Sequence, residues 1–114
     1  SLHKKQILMI ANALYKNPKV LVLDEPTSSL TSDEIANLFS IVRNLKKRGF
    51  TTVFITHKLP EILELCDAVS ILRDGKTVAQ GEIESVINDE NLSVAYGLPI
   101  SVQAEHGRYF ARAR

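Results

Sequence analysis

The chain has 114 residues, the length of one domain or part of one, and 45% of them are hydrophobic, as in a protein with a packed core. Its formal net charge of +1 gives no electrostatic basis for binding nucleic acid or an anionic membrane surface. The single cysteine, Cys66, excludes an internal disulfide, and its apolar neighbours predict a buried thiol. We find neither a signal-peptide pattern nor the roughly 18 consecutive apolar residues of a membrane-spanning helix. We therefore expect any membrane role to require a partner protein.

The first predicted element is a helix over residues 6–14. Asn17-Pro18 should end it, because the residue before a proline disfavours the helical conformation. Four apolar side chains recur at helical spacing and should form its buried stripe: Ile7, Ile10, Ala11 and Leu14. The unbroken apolar run at residues 19–23 then predicts a strand that is buried on both faces.

A second helix is predicted from Ser32 to Lys47. Thr31 and Glu34 have the spacing of a capping box at its start, and Gly49 suits its C-terminal end. Its apolar stripe consists of Ile35, Leu38, Phe39, Val42 and Leu45. The β-branched and aromatic run at residues 51–56 predicts a second buried strand.

The rest of the chain is predicted to contain short elements and a hairpin. Asp74-Gly75 favours a type I′ turn, after which residues 76–80 should return as the hairpin partner of the preceding strand. The other elements, in chain order, are a helix over residues 60–65, a strand over 68–73, helical structure over 82–96 broken near Asn88, and an edge hairpin around His106-Gly107.

Strands that alternate with helices favour an α/β layered fold with a parallel sheet. Residues 1–114 are therefore interpreted as one partial domain. Two strands joined by one crossover make a sheet too narrow for both of its faces to be covered easily. We accordingly expect further strands in an N-terminal portion that this sequence lacks.

Polar side chains follow both predicted parallel strands, at the strand ends where ligands bind in such sheets. Asp24 and Glu25 follow the first strand and leave the sheet in different directions, so one could reach a metal ion while the other faces a water. His57 follows the second strand and could donate a hydrogen bond to a phosphate oxygen. Taken singly, Asp24 also fits a turn cap, and His57 fits a loop histidine.

In combination, these segments resemble the ATP-binding-cassette (ABC) ATPases. LVLDEPTSSLT is similar to the Walker B motif and D-loop, FITH to the switch-histidine segment, and RDGKTVAQGE to the hairpin after the last core strand. SLHKKQILMIANAL resembles the family signature, which usually reads Leu-Ser-Gly-Gly-Gln before a helix. The motifs cover most of residues 1–87 and leave 88–114 as a tail. The resemblance implies the C-terminal portion of a P-loop NTPase-like domain.

The resemblance implies one metal-binding residue and two catalytic residues. Asp24 would coordinate Mg²⁺, usually through water. Glu25 would activate the water that attacks the γ-phosphate of ATP, and His57 would contact that phosphate.

The resemblance also implies residues at a dimer interface. Ser28 and Ser29 match the D-loop, which crosses that interface. Ser1, Leu2 and His3 match the signature, whose helix N-terminus would face the ATP held by a second ABC ATPase domain.

Three departures from the family pattern bear on activity. The Walker A pattern G-x-x-x-x-G-K-[ST] and the glutamine loop are missing from these residues, so the chain alone should bind ATP weakly or not at all. Leu2 and His3 stand where the family has glycines, and Lys4 where it has Gln or Glu. Thr31 replaces the usual D-loop aspartate.

The resemblance implies an importer ATPase on the cytoplasmic face of a membrane, paired with a second cassette and a permease and without a nucleic-acid partner. The core resembles the ATPases of monosaccharide importers, whereas the tail resembles those of iron-chelate and cobalamin importers. Two alternatives stay open. One is a soluble ABC ATPase that serves no transporter, and the other is a non-catalytic interaction module.

Overall fold

The computed structural model of the protein describes residues 2–16, 19–105 and 108–114, and it describes only the backbone of Leu2, His3 and Arg108. The chain divides into two compact units, Ser1–Leu59 and Pro60–Arg114. The interpretation as one partial domain with a boundary after residue 87 stays a prediction.

The first unit contains two helices and two strands: α1 (Leu2–Tyr15), β1 (Val20–Asp24), α2 (Ser32–Lys47) and β2 (Thr51–Ile55). β1 and β2 pair in parallel, in a register that runs from Val20 opposite Thr51 to Asp24 opposite Ile55. The predicted parallel pair with one helical crossover is therefore confirmed. α1 begins earlier than expected, and the predicted terminator Asn17-Pro18 lies outside the described residues.

The buried stripe of α1 agrees only in part with the predicted one. Ile10 is buried, and Ile7 and Leu14 are half-buried, as expected. Ala11 is exposed, so its assignment to the stripe was wrong. The stripe instead includes the half-buried Gln6, one turn before Ile10, because side chains four residues apart share a helix face.

Both ends of α2 have the predicted local structure. The Thr31 hydroxyl accepts a hydrogen bond from the Glu34 amide at 3.3 Å, and the Glu34 carboxylate accepts one from the Thr31 amide at 3.1 Å. This reciprocal pair is a capping box. Gly49 follows the C-cap residue, Arg48, with a φ of 89°, a left-handed conformation that glycine adopts without strain.

α2 packs against one face of the β1–β2 sheet. Its buried side chains are those predicted, apart from the half-buried Ile35: Leu38, Phe39, Val42 and Leu45. The rings of Phe39 and Phe54 meet edge to face, with centroids 6.0 Å apart and planes at 80°. Leu21 of β1 is buried as well, and these residues form the core of the unit.

The other face of this sheet is apolar and open among the described residues. Its side chains are 44–57% exposed: Val20, Val22, Val53 and Ile55. The prediction that the first strand is buried on both faces was therefore wrong for the described residues, and the second strand, predicted to be buried, is also exposed on this face. The physical reason is that two strands and one crossover helix supply cover for one face only.

The second unit contains three helices and two antiparallel strand pairs. In chain order its elements are α3 (Leu59–Leu65), β3 (Ala68–Arg73), β4 (Lys76–Glu82), α4 (Ile83–Val86), α5 (Asp89–Tyr96), β5 (Ile100–Glu105) and β6 (Arg108–Ala113). The predicted elements are confirmed, although α3 starts one residue early and β4 continues to Glu82. Among the described residues, the predicted tail hairpin, β5–β6, forms a two-stranded sheet of its own and is not an edge of another sheet. The expected break falls between α4 and α5, where the Asn88 side chain accepts a hydrogen bond from the Asn91 amide at 2.8 Å.

Each strand pair of the second unit is a hairpin. Asp74 and Gly75 have φ values of 52° and 75° between β3 and β4, which confirms the type I′ turn. β5 and β6 pair from Ile100 opposite Ala113 to Glu105 opposite Arg108, and the predicted turn at His106-Gly107 lies outside the described residues. Within the part of the chain that is described, no helix has the length and apolar character needed to cross a bilayer.

Candidate functional site

The candidate site begins at the turn that follows β1. Asp24 is the last residue of β1, and its side chain is exposed beside the partner residue Ile55. Glu25 has a φ of 47°, a left-handed conformation that is unusual for a residue with a side chain. Its amide donates a hydrogen bond to the Ile55 carbonyl at 2.8 Å, so Glu25 extends the strand pairing by one bond.

The side chains of Glu25 and His57 meet at the ends of the two strands. Oε1 of Glu25 lies 2.9 Å from Nδ1 of His57. Because an ionised carboxylate only accepts, Nδ1 carries the hydrogen in this bond, and Nε2 of His57 is left for another partner. The His57 side chain is 75% exposed and that of Glu25 is 37% exposed, so a ligand could reach the imidazole.

The second carboxylate oxygen of Glu25 has a different environment. Oε2 is buried and has no hydrogen-bond partner among the described residues. A buried acceptor without a donor is uncommon, and such atoms occur where a water, an ion or a ligand is expected. The arrangement could therefore accept a hydrogen bond from a water while His57 holds the other oxygen.

The residues after Glu25 form a tight turn. The Ser28 amide donates to the Glu25 carbonyl at 3.4 Å, and the Leu30 amide donates to the Thr27 carbonyl at 3.2 Å. Pro26 and Thr27 are buried, whereas Ser28 and Ser29 are exposed. The two predicted interface residues thus lie on the surface of the turn, within a few residues of the predicted catalytic acid.

Gln6 is a residue of this site that the motifs did not indicate. Its Nε2 atom donates a hydrogen bond to the Pro26 carbonyl at 2.5 Å. One signal could have found it: Gln6 is a polar side chain one turn before Ile10, on the face of α1 that is buried. The predicted residue Ser1 lies outside the described residues, and the side chains of Leu2 and His3 are not described. Their proposed phosphate contacts stay predictions.

The carboxylates at this strand end fit the predicted Mg²⁺. Asp24 is exposed next to Glu25, whose Oε2 is an unpartnered acceptor. Among the described residues, no group of three or more His, Cys, Asp or Glu side chains could hold a metal by itself. Mg²⁺ does not need such a group, because it is commonly held by one or two carboxylates together with phosphate oxygens and waters.

Three known proteins with similar sequences are all described as import ATP-binding proteins. The ribose import ATP-binding protein RbsA of Clostridium perfringens is 40% identical over 100 residues, which cover 88% of this chain and 20% of that protein. The galactose/methyl galactoside import ATP-binding protein MglA of Sodalis glossinidius is 44% identical over 101 residues, which cover 89% of this chain and 20% of that protein. The xylose import ATP-binding protein XylG of Paraburkholderia xenovorans is 46% identical over 96 residues, which cover 84% of this chain and 18% of that protein.

The chain is homologous to a part of the ABC-transporter ATP-binding proteins. It spans about a fifth of the length of the curated relatives it matches. No protein-family model matches it.

Solved ABC structures have the same fold as this chain. A metal-chelate type ABC transporter in an inward-facing conformation matches with a TM-score of 0.81 and 26% identity, covering 96% of this chain and 45% of that chain. An ABC-transporter cassette in its ADP conformation matches with a TM-score of 0.72 and 30% identity. The match covers 84% of this chain and 39% of that chain. The expected fold class, a partial P-loop NTPase-like α/β domain, is therefore confirmed.

Proposed function

We propose that this chain is the C-terminal part of the ATPase cassette of an ABC importer, which couples ATP hydrolysis to solute uptake. The observation that carries the proposal is the hydrogen bond between Glu25 and His57 at the ends of two parallel strands. Both residues match positions at which ABC ATPases hold the attacking water and the γ-phosphate.

The geometry supports a separate task for each residue of the site. Glu25 would accept a hydrogen bond from the attacking water through Oε2 and orient that water. His57, held through Nδ1, would present Nε2 to the γ-phosphate. Asp24 would hold Mg²⁺ together with the ATP phosphates, and the ion would neutralise the charge of those phosphates.

The predicted dimer partner is a second ABC ATPase domain. The exposed Ser28 and Ser29 are the residues through which this chain would contact it. Ser1, Leu2 and His3 would face the nucleotide of the second domain. Side chains at Leu2 and His3 would hold the backbone of the signature further from phosphate than glycines do, so we propose a weaker nucleotide site on that side.

The open apolar face of the β1–β2 sheet supports the view that other parts of a cassette pack against this chain. Val20, Val22, Val53 and Ile55 form an exposed apolar face at the base of the candidate site. The chain covers 45% and 39% of the two solved ABC structures described above. The Walker A loop would belong to the remaining part, and the chain alone would not bind ATP.

The transported solute is proposed from the relatives. Ribose, galactose and xylose importers supply the sequence matches, and a metal-chelate transporter supplies a structural match. We favour a monosaccharide, because sequence identity with the sugar importers is higher than with the metal-chelate transporter.

The chain would act at the cytoplasmic face of the membrane, next to a permease. A soluble ABC ATPase without a transporter, and a non-catalytic segment, are the alternatives.

The catalytic proposal is tested by nucleotide titration and turnover. We expect calorimetry to detect no Mg-ATP binding to this chain alone and clear binding to a complete cassette that includes it. In that cassette, Glu25→Gln should lower turnover by about 10²-fold or more and leave ATP affinity nearly unchanged. Glu90→Gln, an exposed acid of the second unit, is the matched control. Undiminished turnover in Glu25→Gln would remove the catalytic assignment.

The transport proposal needs a separate test. The complete protein should co-purify with a permease from the cells that produce it. Uptake of a labelled monosaccharide should depend on Glu25. Full ATP turnover without any bound permease would favour the soluble ABC ATPase instead.

A further inference from the structure

The Glu25 backbone is held in a conformation that a non-glycine residue adopts only under constraint. Its φ of 47° places it in the left-handed region. Such a residue persists where its neighbours determine its position from several directions. The contacts on each side of Glu25 therefore show what holds its side chain in place.

One constraint comes from β2, the strand that pairs with β1. The Glu25 amide donates to the Ile55 carbonyl at 2.8 Å, which ties the acid to the end of β2. The second comes from α1, because Gln6 Nε2 donates to the carbonyl of Pro26, the residue directly after the acid. Pro26 has no backbone N–H that could anchor it by donating, so its carbonyl is the only main-chain group through which it can be hydrogen-bonded.

The Gln6 side chain contributes a donor at a cost to its own hydrogen bonding. Its Oε1 atom is buried and has no partner among the described residues. Turning the amide over would bring Oε1 against the Pro26 carbonyl oxygen, and two acceptors repel. An apolar side chain of the same length would remove the orphaned Oε1 but would leave the Pro26 carbonyl without this donor. The polar side chain is therefore explained by the bond that it makes to the turn.

We propose that Gln6 is a positioning residue, which clamps the Pro26 carbonyl and thereby holds Glu25 in its left-handed conformation, with its carboxylate against His57. The clamp joins α1 to the acidic turn inside the first unit. Its use in catalysis rests on the proposed ATPase function, whereas the restraint on Glu25 does not.

The restraint is tested on this chain by NMR. Gln6→Met keeps the length of the side chain and removes the donor. We expect hydrogen exchange of the Glu25 amide to become roughly tenfold faster, because the turn opens more often. The ¹⁵N signal of His57 Nδ1 should shift as its bond to Glu25 weakens. Gln103→Met, at an exposed position of β5, should change neither readout.

A second variant separates the clamp from packing. Gln6→Glu has nearly the same shape, but its carboxylate cannot donate when ionised, so it should reproduce both changes. The proposal would be overturned if, in both variants, the hydrogen-exchange rate of the Glu25 amide and the ¹⁵N signal of His57 Nδ1 stayed as they are in the unmodified chain. Loss of cooperative unfolding in both would also overturn it, because Gln6 would then be a folding residue.

The catalytic consequence is measured in a complete cassette. Gln6→Met should lower kcat by about tenfold and leave KM for ATP nearly unchanged, because the acid is misplaced while nucleotide binding persists. If the NMR changes occur but the wild-type cassette has no ATPase activity, the proposed function fails and the clamp stands. If the cassette is active and kcat is unchanged in Gln6→Met, the positioning role fails and the proposed function stands.

Discussion

Glu25 and His57 are 32 residues apart in the chain, yet Oε1 of one lies 2.9 Å from Nδ1 of the other. The parallel register explains the approach, because Asp24 pairs with Ile55 and each polar residue follows that last pair by one or two positions. The pairing of β1 with β2 therefore brings an acid and an imidazole together.

This bond predicts the tautomer of His57. In the neutral ring the hydrogen should reside on Nδ1, where the Glu25 carboxylate accepts it. Long-range ¹H–¹⁵N NMR on the chain should show that pattern. Glu25→Ala should shift His57 toward the Nε2-protonated form common in free histidine. An Nε2-protonated neutral ring in the unmodified chain would contradict the geometry.

The capping box of α2 should contribute measurably to stability. Thr31→Ala removes the acceptor for the Glu34 amide and should lower the free energy of unfolding by about 1 kcal/mol. Glu34→Ala should cost less than this, and the double variant should cost less than the sum, because the two bonds depend on each other. Denaturant unfolding measures the three values. Ser40→Ala, at an exposed position within the helix, should be nearly neutral.

The contact between α2 and the sheet should dominate the stability of the first unit. Leu38 is 1% exposed, so Leu38→Ala should lower the free energy of unfolding by about 2–5 kcal/mol. Leu72 in β3 is 65% exposed, and Leu72→Ala should change the free energy of unfolding by about 0.5 kcal/mol or less. Equal effects of the two substitutions would contradict the assignment of the core.

Gly97 should be more sensitive to substitution than Gly49, although both have positive φ values of 70° and 89°. Either change to alanine should cost about 1–2 kcal/mol through the left-handed conformation. A Cβ at Gly97 would also lie 2.8 Å from Nη2 of Arg73, whereas one at Gly49 meets no atom within 4 Å. Gly97→Ala should therefore displace Arg73 from the Val94 carbonyl. Thermal unfolding of both variants gives the difference.

Cys66 should react slowly with alkylating reagents. Burial, together with the negative charge of Asp67, raises the pKa of its thiol above the ordinary value, so less thiolate is present at a given pH. Since the folded pKa exceeds the unfolded one, stability should fall as pH rises through the range of thiol ionisation. Alkylation rate against pH measures the shift. Cys66→Ala should flatten the alkaline decline in stability, and Asp67→Asn should speed alkylation.

Local signals in the sequence determined most of the elements. The capping box at Thr31, the two-residue turn at Asp74-Gly75 and the break at Asn88 each depend on side chains within a few positions of one another. Such interactions can be inferred from spacing alone. The same holds for Asp24, Glu25 and His57 as candidates, because their neighbours form recognisable motifs.

Only the tertiary structure decided how those candidates are held. The left-handed Glu25, the bond from Gln6 to Pro26 and the open face of Val20 and Val53 arise from contacts between segments that are distant in sequence. An unbroken apolar strand indicates burial on both faces, but it does not say which part of a protein supplies the cover. That information lies in how elements pack together, and periodicity along one strand does not contain it.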